Sequence, residues 1–149
     1  MLFNQKFLRW FIIIYFISLF SCNTTSHNKN KEGVENAMKY YDHLILKLDA
    51  DSIAMLYTAD GKLGDIATGR DSIKKFLSSF KNVAVLSQSS TTGSVKIIRD
   101  TAIQTGTYTQ TDLVSGKDTV KVKGTYIARW QWMRKAGWHI KRMETKSAN

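Results

Sequence analysis

Residues 118–133 read DTVKVKGTYIARWQWM. Val120, Val122, Gly124, Tyr126, Ala128, Trp130 and Trp132 alternate with Lys121, Lys123, Thr125, Ile127, Arg129, Gln131 and Met133. A period of two places the first set on one side of an extended strand and the second on the other, so one sheet face is apolar and the other mixed. The same period and the same richness in β-branched residues recur over Val83–Ser87, Val95–Arg99, Ala102–Asp112 and Gly137–Thr145. Thr92-Gly93-Ser94, Ser115-Gly116-Lys117-Asp118 and Lys135-Ala136-Gly137 supply turn chemistry between them, which predicts an antiparallel meander. Trp138 and Ile140 fall on the interior side of the last strand, whereas Tyr108, with Thr on one side of its strand and Gln on the other, is left without an assigned face.

Upstream of this sheet the period changes to 3.6. Val34, Ala37, Met38, Tyr41, Leu44, Ile45 and Leu48 recur at spacings of three and four, the pattern of a helix with one buried stripe. Asp49-Ala50-Asp51-Ser52 offers capping side chains to a short second helix carrying Ile53, Met55, Leu56 and Tyr57. Gly69 is the expected turn before a third helix, Arg70–Phe80, with Ile73, Phe76, Leu77 and Phe80 on one face. Helices first and strands after predict an α+β fold, the apolar sheet face meeting the helices.

The chain has 149 residues, with 43% hydrophobic and 23% charged residues and no proline, which suits one folded domain rather than a disordered or collagen-like chain. Net charge is +10, and Lys117–Asn149 holds nine basic residues against two acids. Lys121, Lys123 and Arg129 share the mixed face, so the basic surface suits anionic lipid headgroups, envelope polyanions or an acidic partner, or is an ordinary solvated face. Nucleic acid is not expected, because the aromatic residues between those cations have the opposite parity. Cys22 is the only cysteine, which excludes an internal disulfide and a multi-cysteine zinc site.

Residues 1–21 read as an export signal. Lys6 and Arg9 precede an apolar run, Trp10–Phe20, that is too short for the roughly 20 residues a membrane-spanning helix needs. Leu19-Phe20-Ser21-Cys22 resembles a bacterial lipobox, with Phe20 bulkier than usual, and implies lipid attachment at Cys22 after cleavage. Residues 22–33, which lack large apolar side chains, then form a tether, and residues 34–149 the domain. The expected location is the bacterial cell envelope, lipid-anchored and facing the periplasm, and the membrane is met through the lipid.

Tyr57-Thr58-Ala59-Asp60, Gly69-Arg70-Asp71-Ser72-Ile73, Gly124-Thr125-Tyr126-Ile127-Ala128-Arg129-Trp130 and Gly137-Trp138-His139-Ile140 occur in an order that resembles the nuclear-transport-factor-2-like superfamily, including ketosteroid-isomerase-like and SnoaL-like domains. The resemblance covers Val34 to Lys146. It implies a cystatin-like cone, a curved antiparallel sheet around the N-terminal helices, with a pocket at one end and in many members a homodimer through the sheet. Members include isomerases, dehydratases and non-catalytic domains, so fold does not give activity.

Laid over Tyr41 to Asp65, the ketosteroid isomerase pattern puts its general base on Asp65 and its oxyanion-donating tyrosine on Tyr41. Tyr41 lies on the helix stripe, and Asp65 shares strand parity with Leu63 and Ala67, so both are candidates to face inward. The alternative is a packed tyrosine and an aspartate in a solvated turn beside Gly64. The isomerase's second acid has no counterpart on the apolar face of residues 118–133. Tyr41, Tyr57, Tyr126, Trp130 and Trp138 are the expected lining of a pocket for a small apolar or amphipathic ligand. His43 and His139 lie off the apolar stripes, and the sequence holds no glycine-rich phosphate loop or paired-histidine zinc motif, so neither metal nor cofactor is expected.

Overall fold

The computed structural model describes residues 28–148; the signal-peptide reading, Cys22 and half of the expected tether lie outside the described residues, and the tether's last residues, from Lys31, belong to the first helix rather than to a linker. Helix α1 (Lys31–Lys47) starts where the Asn30 side chain accepts a hydrogen bond from Gly33 N and ends at Leu48, a left-handed cap with φ 48°. Glu32 in its first turn and Lys47 in its last complement the helix dipole. Helix α2 (Ala50–Met55) is capped by Asp49, whose carboxylate accepts from Ser52 N at 3.0 Å. Strand β1 (Tyr57–Leu63), strand β2 (Ala67–Thr68) and helix α3 (Arg70–Leu77) follow. Gly69, at φ 80°, makes the turn into α3, a conformation that favours glycine.

Four long strands complete the chain: β3 (Val83–Ile98), β4 (Thr101–Val114), β5 (Asp118–Met133) and β6 (Gly137–Ser147). They pair antiparallel in succession, as the turn residues predict. The full sheet has the order β2-β1-β6-β5-β4-β3, and β1 runs parallel to β6, so the sheet is mixed rather than wholly antiparallel. The architecture is α+β, with α1 across the inner face of the long strands.

Two expectations are corrected. Val83–Ser87 and Val95–Arg99 are ends of one strand, not two strands around a Thr92-Gly93-Ser94 turn. Register shifts at Val85/Ser87 and Thr92/Ser94 add residues to β3, and such bulges bend a strand while breaking its two-residue period. Tyr57 does not end the second helix; it opens β1, opposite Ile140.

The core lies between α1 and the concave face. Val34, Met38 and Ile45 of α1 are buried in one cluster with Ala102, Tyr126, Ala128, Trp130, Ile140 and Met143 of the sheet. Asp42 ties the helix to β3, accepting from Gln88 Nε2 at 2.9 Å, Ser90 N at 2.8 Å and Ser90 Oγ at 2.7 Å. Arg70 Nε donates to Tyr57 O at 2.8 Å and ties α3 to β1. At the base of α1, Trp138 Nε1 donates to Asn28 O at 3.2 Å, and Lys29 is ion-paired with Asp100 in the β3–β4 turn. No helix among the described residues is long and apolar enough to cross a membrane.

Candidate functional site

Register fixes which side chains share the concave face. Tyr126 of β5 stands opposite Gly106 of β4, and Tyr108 of β4 opposite Gly124 of β5, so each tyrosine ring lies beside a glycine that leaves it room. Gln110 faces Gln88 of β3 and Val122 of β5, while Asp112 faces Val85 and Val120. Helix α1 does not cover the whole face, and Phe76, Leu77 and Phe80, of α3 and the residues after it, line the space that is left. The gap is a cavity of about 420 Å³, within the roughly 300–1,000 Å³ usual for small-molecule sites.

Its inner end is closed by Met38, Tyr126 and Met143, all nearly inaccessible to solvent. Its mouth is rimmed by Ile66, Phe80 and Val120, which are 66%, 41% and 44% exposed. Tyr41, Ile45 and Leu48 of α1 form one wall. The polar groups on the opposite wall include Gln88, Ser90, Gln110 and Asp112, with Thr145 of β6. Among the described residues no lysine, arginine or histidine lines the cavity.

Beyond the inner end, polar atoms are matched by other polar atoms. Trp130 Nε1 donates to Gln104 Oε1 at 3.0 Å, and Gln104 Nε2 donates to Thr92 Oγ1 at 2.8 Å. Thr92 Oγ1 and Tyr126 Oη lie 3.5 Å apart at the end of this chain. The relay lets an indole and a carboxamide be buried without losing their hydrogen bonds to water uncompensated.

The sequence-expected residues divide. Tyr41 and Tyr126 line the cavity. Tyr57, Trp130 and Trp138 do not: they are packed into the core, and Trp138 meets Trp132 edge-on with ring centroids 5.2 Å apart. Burial pushes the Tyr41 phenol up to about 12 and Tyr57 well above the ordinary tyrosine value. Both stay protonated at neutral pH. The buried Tyr57 hydroxyl has the Tyr41 phenol as its polar neighbour.

Asp65 does not face inward with Tyr41. It follows Gly64, at φ 53°, in the turn between β1 and β2, where its side chain is 95% exposed and accepts from Arg142 Nη2 at 2.8 Å. The strand parity that pointed it inward ends at Leu63, because a tight turn restarts the alternation. His43 is exposed, and His139 Nδ1 lies 3.4 Å from Gly137 O. Among the described residues no group of three or more His, Cys, Asp or Glu side chains is placed to hold a metal ion. Gln88, Ser90, Gln110 and Asp112 were missed by sequence reasoning. Their only signal is inward parity on β3 and β4, which depends on a register that the sequence does not display.

Solved structures share this fold. A ketosteroid isomerase-like protein from Erwinia carotovora atroseptica superposes with a TM-score of 0.71 over 82% of this chain and 98% of its own, at 18% identity. An NTF2-like protein with a cystatin-like fold from Novosphingobium aromaticivorans gives 0.64 over 98% and 91%, at 16% identity. The fold is nuclear-transport-factor-2-like. An NTF2-like protein from Cytophaga hutchinsonii adds a TM-score of 0.65 over 80% of this chain and 99% of its own, at 16% identity. No protein-family model matches the sequence, and no curated protein does. At such identities the likeness is one of backbone, and nuclear-transport-factor-2-like architecture carries no activity by itself.

Proposed function

We propose that this chain is an envelope lipoprotein whose nuclear-transport-factor-2-like domain binds a small apolar or amphipathic molecule without transforming it. The observation that carries the reading is the cavity: it is open at one end, walled by aliphatic and aromatic side chains, and has a short polar band on one side. Such a shape removes apolar ligand surface from water while a few polar groups fix orientation. Proton transfer by Asp65 and Tyr41 is the less supported reading, since a general base must come within hydrogen-bonding reach of its proton and Asp65 is turned to solvent.

The neutral fluorophore N-phenyl-1-naphthylamine tests the binding reading. Titrated into the purified protein, it gives saturable, one-to-one fluorescence enhancement. Val122→Trp, which projects an indole from the cavity wall, weakens that binding at least about tenfold while the far-ultraviolet circular dichroism is kept. An intact wild-type fold with no saturable signal would remove the ligand-binding reading. The anchor is tested separately: the wild-type protein incorporates labelled palmitate and Cys22→Ala does not, and a wild-type protein that takes up no label would remove the lipid-anchor reading.

A further inference from the structure

The polar band of the cavity has a sense of direction. Gln88 of β3 and Gln110 of β4 are cross-strand neighbours, and Asp112 lies two residues beyond Gln110 on the same face. Gln88 Nε2 is committed to Asp42 Oδ1 at 2.9 Å, which leaves Gln88 Oε1 buried with no donor. Gln110 Nε2 is committed to Asp112, at 2.8 Å from Oδ1 and 3.0 Å from Oδ2. The carboxylates fix both amide orientations, because an amide oxygen cannot donate to them. The amide donors are thus used up within the wall, Gln88 Oε1 is shut off from solvent, and the Asp112 carboxylate is the group of this band with acceptor capacity to spare.

Charge repeats the pattern. Asp112 is the only charged side chain lining the cavity, and among the described residues it has no ion-pair partner. It is surrounded by Val83, Val85, Val114, Val120 and Val122, in a chain whose net charge is +10. An unpaired carboxylate against apolar walls is stabilised by a ligand that brings positive charge and N–H donors. An anionic headgroup would be repelled, and an acceptor-only one would leave the carboxylate unmatched.

We propose that the cavity selects an amphipathic cation, a primary ammonium group on an apolar body, with the ammonium donating to Asp112 and the body lying against Tyr41, Ile45 and Leu48. The inference rests on the small-molecule reading above and names the class of molecule. The experiment displaces N-phenyl-1-naphthylamine with octylamine, 1-octanol and octanoate, which share one chain and differ in headgroup. Octylamine displaces the probe at a concentration at least about tenfold lower than octanol, and octanoate is the weakest of the three. Asp112→Asn brings octylamine to within about threefold of octanol while the probe still binds.

Equal displacement by amine and alcohol, or a preference for octanoate, overturns the proposal and leaves the cavity as a binding site of another class. Amine preference that survives in Asp112→Asn overturns the role of that carboxylate. Failure of the probe to enter the wild-type protein removes the cavity reading itself. The three-headgroup comparison needs no variant, so a poorly folding Asp112→Asn protein would not rescue the idea.

Discussion

Trp130→Ala is expected to cost about 4 kcal/mol of folding stability, the middle of the range for truncating a buried aromatic side chain. Trp130 is 1% exposed and sits in β5 between Ala102 of β4 and Ile140 of β6, where truncation leaves a cavity in the buried cluster. The loss has a polar part as well. Without the indole N–H, Gln104 Oε1 loses its donor in a position with no access to water, while Gln104 Nε2 stays fixed on Thr92. Against a typical total of about 5–15 kcal/mol, this removes a large share of the stability. Urea unfolding followed by circular dichroism measures it. A loss under about 1 kcal/mol would mean that the closed end is not the packed unit described above.

The second large effect is expected at Gly124, where alanine should cost about 1–3 kcal/mol and also weaken ligand binding. A Cβ built there would stand 2.2 Å from Lys146 O and 2.8 Å from Tyr108 Cε1. The ring can swing, but the carbonyl belongs to β6 and moves only with its strand. Relief therefore either opens the β5–β6 ladder or drives Tyr108 into the cavity it now lines. Gly106 and Tyr126 make the reciprocal pair, with a Cβ only 2.1 Å from Thr91 O and 2.7 Å from Tyr126 Cε1. Parallel measurement of the urea midpoint and of probe affinity in Gly124→Ala checks both halves. Unchanged stability and affinity would show that Gly124 is not needed for Tyr108 to lie where it does.

The legible part of the fold was the part held by local periodicity. Residues 118–133 alternate cleanly because β5 is central, with one face against α1 and the other toward solvent, and the strand bounds follow from that alternation. The continuous β3 was hidden, because its bulges break the period that identifies a strand. The pairing of β1 with β6 joins segments far apart in sequence, and nothing local encodes it. At the site, Tyr41 and Tyr126 were found from helical stripe and strand parity, which give depth correctly when the element is regular. Parity alone could not separate residues that line a cavity from those that fill its floor, so Trp130, Trp138 and Tyr57 were assigned to the lining when packing had consumed them. Asp65 failed for a sharper reason: alternation was carried past the end of its strand into a turn.

The tie between the start of the domain and its closed end gives the molecule a polarity with respect to the membrane. Asn28 and Lys29 are fastened to Trp138 and Asp100 at the floor, whereas Ile66, Phe80 and Val120 mark the mouth at the other end of the long strands. With Cys22 as the proposed anchor, the linker to Asn28 is 28 − 22 = 6 residues, a reach of about 20 Å even when fully extended. A strand of 16 residues, such as β5, runs about 50 Å before curvature shortens it. The leash is too short for the domain to turn over and lay its opening on the leaflet that holds it. Under the proposed anchoring, the opening would face away from the leaflet that holds the lipid, and a ligand would arrive through the aqueous compartment or from the facing envelope layer.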